Sequence, residues 1–90
     1  MESITTEKFR KCFANLPQNI KAEARKVFKT WKSDPFLKNL KFKKIHNKED
    51  IYSIRIGLHW RALGVKKSNK IIWFWIGSHS EYDKLINNLK

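Results

Sequence analysis

Apolar residues recur at i, i+3, i+4 and i+7 in two successive segments near the start of the chain, which is the spacing of amphipathic helices. The first segment predicts a helix over residues 8–14, capped by Thr5 or Thr6 and ended by Pro17. The second predicts a helix over residues 19–32, so that the two helices form a hairpin. The predicted inward stripes are Phe9, Cys12, Phe13 and Leu16, followed by Ile20, Ala24, Val27, Phe28 and Trp31.

The period of the apolar residues changes from helical to alternating after Pro35, because the residue before a proline is disfavoured in a helix. Residues 40–45 alternate between apolar and basic side chains, as a half-exposed strand does. Residues 51–56 predict a second strand with two distinct faces. One face carries Tyr52, Ile54 and Ile56, and the other carries Ser53 and Arg55.

The C-terminal part of the chain predicts two further strands and a helix. A bend at Gly57 and Leu58 leads into a third strand over residues 60–65, and a hairpin turn follows over residues 66–70. Residues 71–76 are apolar without alternation, which indicates a strand covered on both faces. A short helix from about Ser80 ends the chain, and its apolar residues are Tyr82, Leu85, Ile86 and Leu89.

These elements predict a single α+β domain over residues 1–90, in which the N-terminal helical hairpin packs on an antiparallel β-sheet of three to four strands. The chain has no apolar run of the roughly 20 residues that span a bilayer and no signal-peptide core. Cys12, the single cysteine, excludes an internal disulfide and a multi-cysteine metal site. We therefore expect a soluble protein of the reducing cytoplasm with no membrane-spanning segment.

The charge of the chain indicates a polyanionic partner. Lys and Arg number 20 against 8 Asp and Glu, which gives a net charge of +12 on 90 residues. Self-repulsion of that size opposes folding, so nucleic acid is the first candidate for the partner. An acidic protein and an anionic membrane surface are the alternatives, and the membrane is the weaker of them because no segment has the required basic amphipathic pattern.

Four basic side chains fall on neighbouring predicted strands: Lys43, Lys44, Arg55 and Arg61. Since strands in a sheet lie about 5 Å apart, these side chains can share one face. Such a cluster would bind phosphates and stabilise the charge of a phosphorane-like transition state. The alternative is a solvated sheet face that only keeps the protein soluble.

His79 directly follows the predicted buried strand, and its imidazole can exchange a proton near neutral pH. Tyr82 can position a substrate or stack on a base, and His59 beside Trp60 can lie at the rim of the same groove. The alternative makes Ser78 or Ser80 a helix cap and Tyr82 a core residue. The sequence has no phosphate-binding loop, no carboxylate pair and no zinc-ligand spacing, so we expect no metal and no cofactor.

Two segments resemble the toxins of the RelE/ParE superfamily. Residues 52–64 resemble the paired strands of these toxins, in which a Y-x-I-R-x strand precedes an aromatic-Arg-hydrophobic strand. Residues 72–83 are similar to the W-I-G-x-H-x-E-Y-D ending of a RelE-like branch. With the helical hairpin and the Asp-Pro break, the resemblance covers almost the whole chain.

The resemblance implies a toxin of a type II toxin–antitoxin pair that cuts messenger RNA, usually on the ribosome, and is silenced by a cognate antitoxin. It implies that Arg61 contacts the scissile phosphate and that Arg55 and His79 match basic or histidine positions of the family. Ser53 departs from the pattern, because RelE-like enzymes have a lysine there, and the spacing of Tyr82 differs from that of RelE. The alternatives are a DNA gyrase poison of the ParE type and an inactive member confined to antitoxin and operator complexes.

Overall fold

The computed structural model describes residues 1–89, and it confirms the α+β class. Lys90 and the side chain of Leu89, which the sequence predictions included, lie outside the described part. The helices are α1 (Glu7–Ala14), α2 (Gln18–Ser33) and α3 (His79–Leu89), with a 3₁₀ turn at Lys38–Leu40. The strands are β1 (Glu2–Thr5), β2 (Lys43–Lys44), β3 (Ile51–Ile56), β4 (Trp60–Lys67) and β5 (Lys70–Ser78).

The sheet has five strands in the order β1-β5-β4-β3-β2. The four strands from β2 to β5 pair antiparallel, as predicted, whereas β1 pairs parallel with β5 at one edge. The sheet is therefore larger than the predicted three to four strands, and it is mixed. The sequence does not predict the additional strand, because its four residues are mostly polar and its register, Glu2 opposite Lys70, pairs residues far apart in the chain.

The predicted strand over residues 40–45 is reduced to a two-residue pairing. Leu40 closes a 3₁₀ turn, and Lys41 adopts a left-handed conformation with φ of 54°. The alternation in the sequence reflects burial, because Leu40 and Phe42 enter the core while the lysines between and after them stay exposed. Phe42 is fixed by rings on both sides, with its centroid 5.6 Å from that of Trp31 and 4.9 Å from that of Tyr52.

The main core lies between the first two helices and one face of the sheet, here called the helix face. Thr6 caps α1 by accepting a hydrogen bond from the Phe9 amide at 3.1 Å, and Phe9 then packs edge-on against Phe28 of α2. Trp31 and Trp73 are fully buried, with ring centroids 5.4 Å apart. The predicted inward stripes of both helices line this core, so the helical half of the prediction is confirmed.

The opposite face of the sheet, here called the groove face, is partly covered by α3. Leu63 and Trp75 pack there against Tyr82, with Leu85 and Ile86 beside them. A β-bulge opposite Leu63 and Gly64 shifts the register of β5, so that the strand buries side chains on both faces, as predicted. The groove face next to the end of β5 is where the basic side chains of β3 and β4 emerge.

None of the helices within residues 1–89 is both long enough and apolar enough to cross a bilayer.

Candidate functional site

Seven residues surround a groove of about 160 Å³ on the groove face of the sheet, and we call it the cationic groove. They come from the loop before β2, from β2, β3 and β4, and from the first turns of α3. These residues are Lys41, Lys43, Ser53, Arg55, Arg61, His79 and Tyr82. The two arginines and two lysines give this groove the positive charge that binding of an anion such as a phosphodiester requires.

Strand register brings the basic side chains together. Arg55 lies directly opposite Arg61 in the β3–β4 ladder, and Lys43 lies opposite Ser53 in the β2–β3 ladder. Because positions two apart on a strand share a face, Ser53 and Arg55 point the same way, and their cross-strand partners point with them. The predicted shared face of Lys43, Arg55 and Arg61 is therefore present.

Both guanidinium groups are anchored to backbone oxygens near the β3–β4 turn. Arg55 donates from Nε to the Gly57 carbonyl at 3.1 Å, and Arg61 donates from Nη1 to the Trp60 carbonyl at 2.8 Å. Partial burial lowers the pKa of Arg61, and the charge of Arg55 lowers it further. Two anchored like charges on a half-buried surface are a preorganised receptor for an anion, since the anion removes the repulsion between them.

His79 is the first residue of α3, and a capping box fixes the helix there. The Glu81 amide donates to Ser78 Oγ at 3.2 Å, while Glu81 Oε1 accepts from the Ser78 amide at 3.3 Å and from its hydroxyl at 3.0 Å. The His79 amide donates to the His59 carbonyl at 2.7 Å. Its imidazole Nδ1 lies 3.2 Å from Asp83 Oδ2. The ring is thus held at the end of β5, beside Arg61.

Tyr82 combines a core position with a hydroxyl in the cationic groove. Its side chain is only 8% exposed and packs with Leu63 and Trp75. Its hydroxyl donates to Ser53 Oγ across 3.5 Å, which is a long and weak hydrogen bond. The core role considered for Tyr82 is therefore correct, and it leaves the hydroxyl beside the basic side chains.

A second, wider depression of about 740 Å³ adjoins the cationic groove, and Arg61 and His79 line both. We call it the adjoining pocket. Its other lining residues are Leu58, His59, Ser78, Ser80, Asp83 and Lys84. Leu58, which lines the adjoining pocket, is 71% exposed. An exposed apolar side chain is therefore part of the same pocket as Arg61 and His79.

Two residues that the sequence suggested for nucleic-acid binding do not line either depression. Lys44 lies opposite Tyr52, on the helix-face side of β2, and its Nζ is 3.4 Å from Asp50 Oδ1. Trp60 packs against the main core. Neighbouring strand residues point to opposite faces, so Lys43 and Lys44 cannot both face the groove, and the same holds for Trp60 and Arg61.

Sequence reasoning missed four residues that line the two depressions: Lys41, Leu58, Asp83 and Lys84. Lys41 reaches the cationic groove because its left-handed backbone turns the chain before β2, and no sequence signal announces that turn. Leu58 stood in the predicted bend without an assigned role. Asp83 follows His79 at i+4, a spacing that places two side chains on one side of a helix and that could have revealed the contact.

Within residues 1–89, no group of three or more His, Cys, Asp and Glu side chains is arranged to hold a metal ion. The chemistry offered by the described side chains is binding of an anion by four cations, proton transfer by an imidazole, and hydrogen bonding by a phenol.

Comparison with solved structures shows the same fold in several toxins. The RelB–RelE antitoxin–toxin complex from Methanococcus jannaschii matches with a TM-score of 0.69 at 23% identity, covering 90% of this chain and 96% of that one. The YoeB/ParE toxin from Agrobacterium tumefaciens matches with a TM-score of 0.68 at 14% identity, over 88% and 99%. The isolated RelE toxin of E. coli matches with a TM-score of 0.66 at 13% identity, over 99% and 98%.

A search of curated protein sequences finds no significant match. The family model of the ParE-like toxin domain matches residues 18–84, which include α2, most of the sheet and the start of α3. That segment contains every residue of the cationic groove. The chain therefore belongs to the ParE-like toxin domain family, within the RelE/ParE superfamily of toxins.

Proposed function

We propose that this protein is the toxin of a type II toxin–antitoxin pair and that it inhibits translation by cutting messenger RNA, in association with the ribosome. The observation that carries the proposal is the convergence of Arg55, Arg61 and His79 on one groove. An inhibitor that only docks on a protein needs no imidazole beside two anchored guanidinium groups. An enzyme that cleaves a phosphodiester needs guanidinium groups to stabilise the negative charge of the transition state and an imidazole to transfer a proton.

The proposed reaction requires no metal ion and no cofactor. The 2′-hydroxyl of the RNA attacks the adjacent phosphorus as the bond from phosphorus to the 5′-oxygen breaks, leaving a 2′,3′-cyclic phosphate and a 5′-hydroxyl. One proton leaves the 2′-oxygen and one reaches the 5′-oxygen, and His79 handles one of these transfers as general acid or base. Arg61 and Arg55 stabilise the charge that accumulates on the phosphoryl oxygens.

RelE-like enzymes have a lysine at the position of Ser53, and in this chain two lysines at neighbouring positions take over its charge. Ser53 is 3% exposed and lies under the Tyr82 hydroxyl, so it carries no charge into the groove. Lys43, directly opposite Ser53, and Lys41 before it supply cations on the same wall. In the proposed enzyme, Lys41 and Lys43 bind RNA phosphates next to the scissile one, His59 contributes from the adjoining pocket, and Tyr82 orients the reacting group.

The proposed partners follow from charge and from the family. A cognate antitoxin would place an acidic segment over the cationic groove, or would displace α3, and thereby silence the toxin in the cytoplasm. The M. jannaschii structure is itself an antitoxin–toxin complex, which supports this assignment. A hetero-oligomer of the pair on operator DNA is a further expectation.

The second candidate function is the poisoning of DNA gyrase, which the resemblance to ParE toxins implies, and the family model that matches is a ParE-like one. In that case the basic surface would serve binding alone, and His79 would be dispensable. Trp60 and Lys44, which lie outside the groove, would then be as relevant to activity as Arg55 and Arg61.

The chemistry of the RNA ends tests the proposal. Purified protein is added to translating ribosomes with a labelled message, and the upstream fragments are analysed for their 3′ ends. We expect 2′,3′-cyclic phosphates, and a message with 2′-deoxyribose at the cleaved position should remain intact. Fragments that carry 5′-phosphates would contradict the 2′-hydroxyl route, and a parallel plasmid assay that shows gyrase-dependent DNA cleavage would replace the ribonuclease by the gyrase poison.

A further inference from the structure

Asp83 is the single carboxylate among the described residues that line the cationic groove and the adjoining pocket. An acidic side chain at the rim of a site for an anion weakens binding. The charge of Asp83 offsets part of the lowering of the Arg61 pKa, but its nearest described contact is with His79. Its Oδ2 lies 3.2 Å from Nδ1 of His79, one helical turn earlier. Glu81, the other acidic residue of this turn, is already engaged by Ser78 in the capping box.

We infer that Asp83 is a positioning residue that holds His79 in the tautomer protonated at Nδ1, so that Nε2 is the nitrogen that exchanges a proton with the substrate. The inference rests on the proposed function for its use, because a binding-only toxin would have no need of a defined tautomer. The two ring nitrogens of a histidine are distinct, and the hydrogen bond made by one sets the protonation of the other.

The backbone around His79 makes the contact specific. The His79 amide is fixed by the His59 carbonyl at 2.7 Å, and the capping box fixes the turn that carries Asp83. With both ends held, the imidazole stays within reach of Asp83, whose Oδ2 lies at an ion-pair distance of 3.2 Å from Nδ1. No hydrogen bond to Nε2 is made by the residues that the structure describes, which leaves that nitrogen for a substrate.

The charged and titratable groups around His79 are otherwise basic or phenolic. Arg61 lies between the two depressions, and the remaining groups face the imidazole from the sheet, the β3–β4 turn and α3. They are Lys41, Lys43, Arg55, His59, Tyr82 and Lys84. The lysines and Arg55 cannot accept a hydrogen bond, and the Tyr82 hydroxyl is directed to Ser53. Asp83 is the group of this set whose oxygen lies near Nδ1, at 3.2 Å.

The other explanation for the pair is a helix-surface contact without function. His79 and Asp83 are 44% and 55% exposed, and exposed pairs at this spacing contribute little to stability. A measurement of stability therefore cannot distinguish the two explanations. The tautomer of His79 and the cleavage rate together can, because a surface contact without function would leave the cleavage rate unchanged when Asp83 is removed.

The experiment is a long-range ¹H–¹⁵N NMR spectrum of the imidazoles in the full chain, at a pH at which they are neutral. His46 is an internal reference for the opposite tautomer, because its Nδ1 accepts hydrogen bonds from the amides of Lys48 and Glu49 at 3.1 and 2.9 Å. We expect His79 to be protonated at Nδ1 in the wild type and to shift toward Nε2 protonation in Asp83→Ala. The matched control is Asp50→Ala, which removes the same charge outside both depressions.

The same variants are then compared for RNA binding and for cleavage. We expect Asp83→Ala to cut about 10–100-fold more slowly, as is typical when the partner of a functional histidine is lost, while RNA binding is retained. An unchanged tautomer in Asp83→Ala would overturn the inference whatever the activity, and so would a changed tautomer with an unchanged cleavage rate. If the wild type does not cut RNA at all, the proposed function fails, and the NMR spectrum still decides whether Asp83 selects the tautomer.

Discussion

Arg55 and Arg61 lie directly opposite each other on adjacent antiparallel strands, with both side chains directed into the same groove. Like charges in opposite positions of a ladder destabilise a sheet. The pKa of Arg61 is lowered by its burial and by the charge of Arg55, so the folded state disfavours the charged form. Because an arginine pKa is far above neutral, this cost is present at all physiological pH values and would be relieved only in strong alkali.

Replacing Arg55 should therefore stabilise the protein while it weakens the site. We expect Arg55→Gln to raise the free energy of unfolding by roughly 0.2–1 kcal/mol at low salt, since it removes one charge of the pair. The measurement is urea unfolding at low and at high salt, where screening should shrink the gain. Lys29→Gln on the exposed side of α2 is the control for a general loss of positive charge. An Arg55→Gln variant less stable than the wild type would show that the Gly57 hydrogen bond outweighs the repulsion.

Lys43 and Lys44 form a matched pair, because they are adjacent on β2 and point to opposite faces. We expect Lys43→Ala to weaken binding of single-stranded RNA and to reduce the slope of log affinity against log salt by about 0.7, the contribution of one phosphate contact. Lys44→Ala should leave both quantities close to those of the wild type, since Lys44 contacts Asp50 outside the groove. Equal effects of the two substitutions would show that RNA does not follow the cationic groove.

The ring and the hydroxyl of Tyr82 can be separated by two substitutions. Tyr82→Ala should cost about 3–5 kcal/mol of stability, because the buried ring fills the contact between α3 and the sheet. Tyr82→Phe should change stability by less than about 0.5 kcal/mol, since the bond to Ser53 is 3.5 Å long. The measurements are thermal unfolding and RNA cleavage, and a lower cleavage rate in Tyr82→Phe would assign a role to the hydroxyl. A Tyr82→Phe variant that unfolds readily would contradict the weakness of that bond.

Gly64 allows β4 to approach two large side chains of β5. A Cβ at this position would overlap Ile71 Cγ2 and lie 2.9 Å from Trp73 Cε3. We expect Gly64→Ala to lower the free energy of unfolding by about 1–3 kcal/mol, the usual cost of overpacking a core. Gly57→Ala serves as a comparison, because its Cβ would meet only Glu23 Cγ, at 3.9 Å, and its cost of about 1–2 kcal/mol would come from φ of +61°. A neutral Gly64→Ala would show that Trp73 can move aside.

The elements with a strong local pattern could be predicted from the sequence. The apolar stripes of α1 and α2, the two faces of β3 and the doubly buried β5 follow from periodicity, and each is present. The sequence gives no comparable signal for β1, since its stability depends on parallel pairing with β5, far away in the chain. The shortening of β2 depends on the left-handed residue Lys41, which is also not a typical residue for that conformation.

The sequence predicts which types of residue form the candidate site better than it predicts which side chains lie together in the folded protein. Arg55 and Arg61 could be assigned to one face because cross-strand register follows from a short turn. Lys44 and Trp60 were grouped with them by proximity in sequence, whereas the alternation of side chains along a strand separates them. Lys41 lies in the site because of its left-handed backbone conformation, and Asp83 because it contacts His79 on α3. Both features are visible only in the folded chain.

The most direct test of the account is primer extension on a message in a cell-free translation reaction that contains the purified protein. Wild-type protein should produce discrete cleavage stops, Arg61→Ala should reduce them by at least about 100-fold, and Lys29→Ala on α2 should leave them unchanged. Circular dichroism confirms in advance that each variant is folded. Cleavage by Arg61→Ala at the wild-type rate, or an intact message with normal protein synthesis in the presence of wild type, would contradict the claim that the cationic groove is the active site of a messenger-RNA endonuclease.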